Sequence, residues 1–318
     1  MQLQLNDNER EFAAAVERVV RGHLEVPRSG GVSVATYSAY SEDLYRSLQE
    51  AGFLAVAREP EFGPICSVLM IEEVAKSPVS AETGTSALVA VMASDRSLTG
   101  PIALCRAEEI NRPIRYLPVA KTLLVLSGES LLALEVDHAQ VRVNGGMFAY
   151  PFGMFAQAPD LSGAVKVGSS HTALVYWQIA MAAEGAGLMQ SALDYTVEYV
   201  KNRRQFNRPI GSFQAVKHRL ASSSQQARGA IWLARRAAWS ASAADAAMAA
   251  LYVQQAIPEV TYDCHQFSGA MGMTLECPLH FWTHRLKALQ GELGGAAFSA
   301  SRLTQEHWTV PKAATGAS

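Results

Sequence analysis

The densest concentration of chemistry in this chain is residues 199–214, Tyr-Val-Lys-Asn-Arg-Arg-Gln-Phe-Asn-Arg-Pro-Ile-Gly-Ser-Phe-Gln. Lys201, Arg203, Arg204 and Arg208 crowd into it beside Phe206 and Gln214. Planar guanidinium forks suit bidentate contact with phosphate oxygens. The adjacent aromatic and amide side chains suit the ring and edges of a nucleotide. A helix starting near Phe213 would also offer free N–H groups to an anion. A solvated basic loop would carry the same charge, but it does not call for this mixture. The second concentration is residues 266–272, Gln-Phe-Ser-Gly-Ala-Met-Gly. Small residues after a helix allow a ligand close to the backbone, although an ordinary helix end and turn has the same composition.

A third constellation competes with these. Cys264, His265, Cys277, His280 and His284 fall within 21 residues. His280 and His284 have the i, i+4 spacing that can bind zinc. The residues between them, Phe-Trp-Thr, include no glutamate for a zinc-protease reading, and the cysteines are not closely paired. No metal is expected, and these histidines read as packed or capping residues. Ser169-Ser170-His171 lacks the elbow glycines that a serine nucleophile needs.

The elements that must position these residues fall into three regions. Residues 1–116 read as helical. Asp7 is a candidate cap for a helix with Phe12, Val16, Val19 and Val20 on one face. Gly30-Gly31 interrupts, a second helix covers 41–51, and helical spacing resumes over 66–76. Residues 85–93 are apolar on all sides and fit a buried helix or strand alike. Residues 117–168 change period: 121–126, 131–136 and 140–143 are short and β-prone, separated by Ser-Gly and Asn-Gly-Gly turns. The loop 148–159 has no assignment.

Residues 169–306 read as a bundle of long helices. Leu174, Trp177, Met181, Leu188, Ala192, Tyr195 and Tyr199 make a stripe on the first. Gly185 and Gly187 interrupt that helix at roughly 1 kcal/mol each against alanine, which implies another backbone packed closely there. Further helices are expected over 213–241 and 245–266, with Pro258 kinking the latter or starting a new one. A last helix opens at Pro278 and closes at Gly294-Gly295. Residues 307–318 are expected to be a frayed tail.

The composition agrees with this architecture. Of 318 residues, 49% are hydrophobic and 18% charged, which excludes wholesale disorder. The net charge of −2 argues against nucleic acid as a partner. Four scattered cysteines argue against a disulfide framework and fit a reducing compartment. With no apolar run long enough to span a bilayer and no secretory signal, a cytoplasmic protein is expected.

Taken together, the two motifs resemble the acyl-CoA dehydrogenase family. That family's Tyr-Ala-x-x-Arg-x-x-Phe-Gly, Pro, Phe-Gln and Leu-Ala pattern appears as Tyr199, Arg203, Phe206, Pro209, Phe213-Gln214 and Leu220-Ala221. Its Gln-x-x-Gly-Gly-x-Gly appears as Gln266, Gly269, Ala270 and Gly272, followed by Pro278-Leu279-His280 and Arg285. The N-terminal third fits more loosely, through Gly52-Phe53-Leu54 and Ile71-Glu72-Glu73. The resemblance implies a helical N-terminal domain, a reduced β-domain and a C-terminal four-helix bundle, mainly α with a small β-domain. It also implies FAD at a subunit interface. Arg203, Phe206 and Gln214 would reach the ADP half of the neighbouring subunit's FAD, and Gln266, Gly269 and Ala270 would line its pyrophosphate and adenine end.

The departures carry equal weight. The family's Thr-Glu-Pro-x-x-Gly-Ser-Asp stretch, which holds the isoalloxazine, has no match; the nearest text is residues 92–101. The Trp-Ile-Thr stretch of the β-domain is missing too. The family's catalytic glutamate has two known placements. In one, Glu292 stands about one residue out of register without the Tyr-Glu-Gly-Thr context; at the other stands Trp177, which cannot act as a base. The expectation is that no residue here is catalytic, with Glu292 as the alternative. Such a chain resembles the short subunits of actinobacterial heteromeric acyl-CoA dehydrogenases, which act on steroid-derived CoA thioesters. That implies a longer partner subunit supplying the base, an α2β2 assembly, an acyl-CoA substrate and electron-transfer flavoprotein as acceptor. A self-sufficient homo-oligomeric dehydrogenase using Glu292, and a scaffold without flavin contact, are the alternatives.

Overall fold

The computed structural model describes residues 4–24, 39–146 and 148–308. Helix α1 (Asp7–Arg21) is capped by Asn6, one residue before the expected cap Asp7. Asn6 accepts from the Glu9 backbone N–H, and Glu9 reaches back to the Asn6 N–H, both at 2.9 Å. This reciprocal pair satisfies two donors that a helix start leaves open. Phe12, Val16 and Val20 face inward. The Gly30-Gly31 break lies outside the described residues. Ser41 caps α2 (Glu42–Glu50), and α3 (Gly63–Lys76) carries a proline in its first turn. The ambiguous apolar run is helical: a π-helical turn, Thr85–Val89, leads into α4 (Ala90–Ala93).

The sheet region begins earlier in the chain than residue 117. Strand β1 (Ile102–Arg106) pairs in parallel with β3 (Thr122–Ser127), which continues antiparallel to β4 (Ser130–Glu135) and then to β7 (Val165–Ser169). A second small sheet joins β2 (Ile114–Arg115), β6 (Phe152–Phe155) and β5 (Val141–Asn144). Strand β6 lies in the loop that sequence pattern left unassigned. Its Phe-Gly-Met-Phe text has no period-2 alternation, and pairing with β2 and β5 decides its conformation.

The C-terminal region is built on α5 (Ser170–Asn202), α6 (Gln214–Ser240) and α7 (Ala243–Ser268). A tight hairpin, β8 (Arg204–Gln205) with β9 (Arg208–Pro209), turns α5 into α6. Alanines 227, 230, 234 and 237 of α6 and 246, 249 and 250 of α7 are fully buried. Such small side chains let helix axes approach toward the short end of the ~8–10 Å range. Gly187 marks the close approach its position implied: a Cβ there would lie 2.3 Å from the Glu72 carbonyl oxygen of α3. At the same contact Arg235 of α6 clasps the buried Glu72 carboxylate, Nη2 to Oε2 at 2.6 Å. Helix α7 continues through Pro258, which sits on its exposed side.

The end of the chain differs from expectation. Helix α8 (Leu279–Gly291) is not the last. Gly294 and Gly295, at φ +83° and +71°, form a joint, and α9 (Gly295–His307) then packs along α7. Two adjacent glycines in conformations that other residues avoid read as an ending in sequence but serve as an elbow. Beyond Trp308 the expected tail lies outside the described residues.

Candidate functional site

Two charged regions stand out. The first is one end of the bundle, where α5 finishes, α6 starts and α7 finishes. Arg219 of α6 pairs with Asp263 of α7, and Ser223 Oγ donates to the same carboxylate at 2.8 Å. These contacts bring Arg203, Phe206 and Gln214 to the same end as Gln266, Gly269 and Ala270. All six are exposed. Phe206 is 86% exposed at the hairpin tip, where it and Asn207 take positive φ. Its ring meets Phe213 edge-on, with centroids 6.1 Å apart, and Arg208 lies 3.9 Å over Phe213.

Arg203 and Arg204 behave differently. Arg204 Nη2 turns back to the Asn207 carbonyl at 3.4 Å. Among the described residues, the Arg203 guanidinium has no hydrogen-bond or ion-pair partner. Helix α5 has ended by then, so strand alternation rather than helical rotation separates the two arginines. Among the described residues, no side chain caps the start of α6, and a Cβ at Gly269 would meet nothing within 4 Å. The arrangement can bind an anion through Arg203 and accept a flat ring at Phe206, with open backbone at Gly269.

Beneath this surface the His/Cys constellation is spent on packing. His265 places Nδ1 3.0 Å from the Gly272 carbonyl and Nε2 3.0 Å from Thr283 Oγ1. Burial lowers its pKa, partly offset by the Gly272 contact. His280 Nδ1 lies 2.6 Å from the Cys277 carbonyl. Burial pushes the Cys264 thiol up to about 12, which disfavours the thiolate a metal needs. Among the described residues, no group of three or more His, Cys, Asp or Glu side chains is placed to hold a metal ion.

The second region is a cavity of about 570 Å³ between β2, the β5–β6 connection, α5 and the α8–α9 turn. Leu104, Ile114, Phe148 and Phe152 give it apolar walls, while Trp177 and Glu292 face it from the helical side. Glu292 and Trp177, the two placements of the resembling family's base, therefore meet in one site. Trp177 Nε1 donates to Glu292 Oε1 at 2.6 Å. Arg115 Nη2 donates to the same oxygen at 3.0 Å, and its Nη1 donates to Glu184 Oε2 at 2.7 Å. Tyr150 completes the cluster by donating to Glu184 Oε1 at 2.7 Å. Among the described residues, Glu292 Oε2 has no partner.

The cluster is buried. Burial alone would lower the Arg115 pKa, but Glu184 and Glu292 carry it well above the ordinary guanidinium value. Burial, then the Glu184 charge, pushes the Tyr116 and Tyr150 hydroxyls far up, so both are neutral donors. Their rings flank the guanidinium at 5.1 and 4.8 Å. Sequence reasoning missed Arg115, Glu184 and Tyr150. Arg115 meets Glu184 across 69 positions and Glu292 across 177, and no local spacing signals such partners.

With this geometry in view, comparison with known proteins is decisive for the C-terminal region. Residues 169–296 match the model of the acyl-CoA dehydrogenase C-terminal domain. That region, 128 of the 318 residues, is similar to acyl-CoA dehydrogenases. The chain is similar to acyl-CoA dehydrogenase FadE34 of Mycobacterium tuberculosis, 39% identical over 131 residues, or 39% of this chain and 18% of the relative. It is also similar to acyl-CoA dehydrogenase IpdE2 of Mycolicibacterium smegmatis, 35% identical over 126 residues and 40% of each chain. The matched segments thus span less than half of either relative. Over nearly the whole length the fold is that of the ChsE4–ChsE5 complex from Mycobacterium tuberculosis, with a TM-score of 0.75 and 20% identity, covering 98% of this chain and 100% of that one. The shared fold therefore extends through the N-terminal helices and the sheets. Among the described residues, no helix is long and apolar enough to cross a membrane.

Proposed function

We propose that this chain is the short subunit of a heteromeric, FAD-dependent acyl-CoA dehydrogenase that desaturates the Cα–Cβ bond of a CoA thioester, with a longer partner subunit supplying the catalytic base. The observation that carries this reading is the exposed Arg203 guanidinium, unpaired among the described residues, beside Phe206 at the bundle end that also presents Gln266, Gly269 and Ala270. A buried arginine finds carboxylates within its own chain, as Arg115 does. An exposed one in a nucleotide-like setting is available to a ligand held by a neighbouring subunit. FAD fits that end. Arg203 would take the pyrophosphate, Phe206 and Gln214 the nucleotide end, and Gln266, Gly269 and Ala270 would allow close approach. When bound, FAD accepts the hydride that leaves the β-carbon.

Two comparisons support a heteromer. FadE34 is more than twice the length of this chain, since 131 matched residues are only 18% of it, which leaves room for two such units in one polypeptide. The structural neighbour ChsE4–ChsE5 is a complex of two different chains. By the same analogy the assembly is α2β2 and cytoplasmic, its substrate is a steroid-derived acyl-CoA, and its electron acceptor is electron-transfer flavoprotein. One observation favours a second reading, a self-sufficient homo-oligomer: Glu292 faces the cavity with Oε2 unpaired among the described residues. Against it, Oε1 is held by both Arg115 and Trp177.

The test is to purify the chain alone and with a co-expressed full-length acyl-CoA dehydrogenase. Flavin absorbance per complex and thioester turnover are then measured. Bound flavin and turnover only in the mixed complex are expected. A monodisperse, flavin-loaded and active preparation of the single chain would overturn the proposal.

A further inference from the structure

The cavity wall contains more polar machinery than a packing role requires. Arg115 on β2 bridges Glu184 on α5 and Glu292 in the α8–α9 turn, and Tyr150 and Trp177 close the two outer ends. All three charged side chains are at most 17% exposed. The two acceptor oxygens of Glu184 each take one donor, and both donors to Glu292 converge on Oε1. We infer that Arg115 is a positioning residue that pins Glu292 to the cavity wall, and that this pinning, rather than the loss of a carboxylate, is what keeps Glu292 out of proton transfer. The inference rests on the reading of the chain as a subunit without its own base.

The geometry explains why a carboxylate stands at the site without serving it. To act on an acyl thioester, a base must bring an oxygen to the α-hydrogen. The C–H bond then breaks, the proton passes to that oxygen, and the electron pair moves onto the thioester carbonyl. Glu292 is held at 2.6 and 3.0 Å by donors on two different elements, Trp177 of α5 and Arg115 of β2. Swinging toward a bound acyl chain would break the indole hydrogen bond and the ion pair together. It would also leave Arg115 with one carboxylate in a buried site, a large cost. Trp177 thus does more than lack a base's chemistry: it helps to immobilise the carboxylate.

Two measurements on the protein as isolated, with any partner it carries, test this. The first needs no thioester: carbodiimide-driven coupling of an amine to Glu292, read by peptide mass spectrometry against exposed Glu108. Coupling at Glu292 should be slow in the parent and should rise about tenfold in Arg115→Gln, as one charge-assisted bond is released. The second is deuterium incorporation at the α-carbon of butyryl-CoA in heavy water. It should rise about tenfold in Arg115→Gln, short of the ~10²–10⁴-fold of an evolved base, and return to the parental level in Arg115→Gln/Glu292→Gln. A merely structural residue would lower exchange, not raise it through Glu292. Should Arg115→Gln not fold, Trp177→Phe carries both measurements with smaller rises. Coupling at Glu292 as fast as at Glu108 in the parent, or no rise in coupling in folded variants, would overturn the inference. Failure of the dehydrogenase reading itself would instead appear as absence of flavin and turnover, with the coupling result unchanged.

Discussion

Arg115 and Arg203 are the same residue put to opposite uses. Arg115 is buried between two tyrosine rings and satisfied by two carboxylates of its own chain. Arg203 stands at the exposed end of the bundle with no partner among the described residues. In the first region Arg115, Glu184 and Glu292 answer one another's charge, and the result is a fixed wall. In the second Arg219 is answered by Asp263, but Arg203 has no counter-charge among the described residues, and the result is a surface that awaits an anion from outside the chain. Charge alone does not distinguish structure from function here; the location of the counter-charge does.

Breaking an internal answer should have the largest effect. Arg235→Met removes the cation that clasps buried Glu72, whose side chain is 5% exposed. Orphaning such a group costs about 3–5 kcal/mol. Urea unfolding should show that loss while the fold of the remaining protein is kept. Arg203→Ala should do the reverse, changing stability by no more than about 0.5 kcal/mol. It should weaken FAD retention by about 10- to 150-fold, from the ~1.5–3 kcal/mol of a charge-assisted hydrogen bond. Arg203→Lys should recover part of it, since an ammonium lacks the two-pronged fork, and Arg204→Ala should matter less. Flavin absorbance after dilution and gel filtration reads all three. If Arg204→Ala loses flavin and Arg203→Ala does not, the contrast between the two arginines is misplaced.

A smaller effect belongs to the layer between these regions. Burial holds the folded-state pKa of His265 below its ordinary 6.5. A group with a lowered folded pKa contributes stability that is present above the unfolded value and lost as pH falls through the folded one. Thermal midpoints should therefore fall as pH drops below 6.5, and fall less steeply in His265→Asn. An unchanged slope in that variant would place the titration elsewhere, with buried His280, also lowered, as the next candidate.

How much of this was legible in the sequence follows the same division. The Arg203 and Gln266 motifs are contiguous, so residue type and spacing displayed them. The long helices announced themselves through the stripe from Leu174 to Tyr199, and Gly187 through its cost inside a helix. Strand β6 was not legible, because only its neighbours make Phe-Gly-Met-Phe a strand. Helix α9 was hidden behind Gly294-Gly295, since an elbow and an ending use the same residues. The Arg115 cluster was the least legible part, because it exists only once β2, α5 and the α8–α9 turn have come together. Sequence could place Glu292 and Trp177 as rival positions for one role, but not show that they touch.

The central claim is that Glu292 is a wall of the cavity and the base lies in another subunit. Its most direct test is the turnover of the assembled enzyme carrying Glu292→Gln, at unchanged flavin content. The account predicts turnover within about threefold of the parent, since loss of a true base costs ~10²–10⁴-fold. A fall of that larger size would make Glu292 the base and this chain the seat of the chemistry.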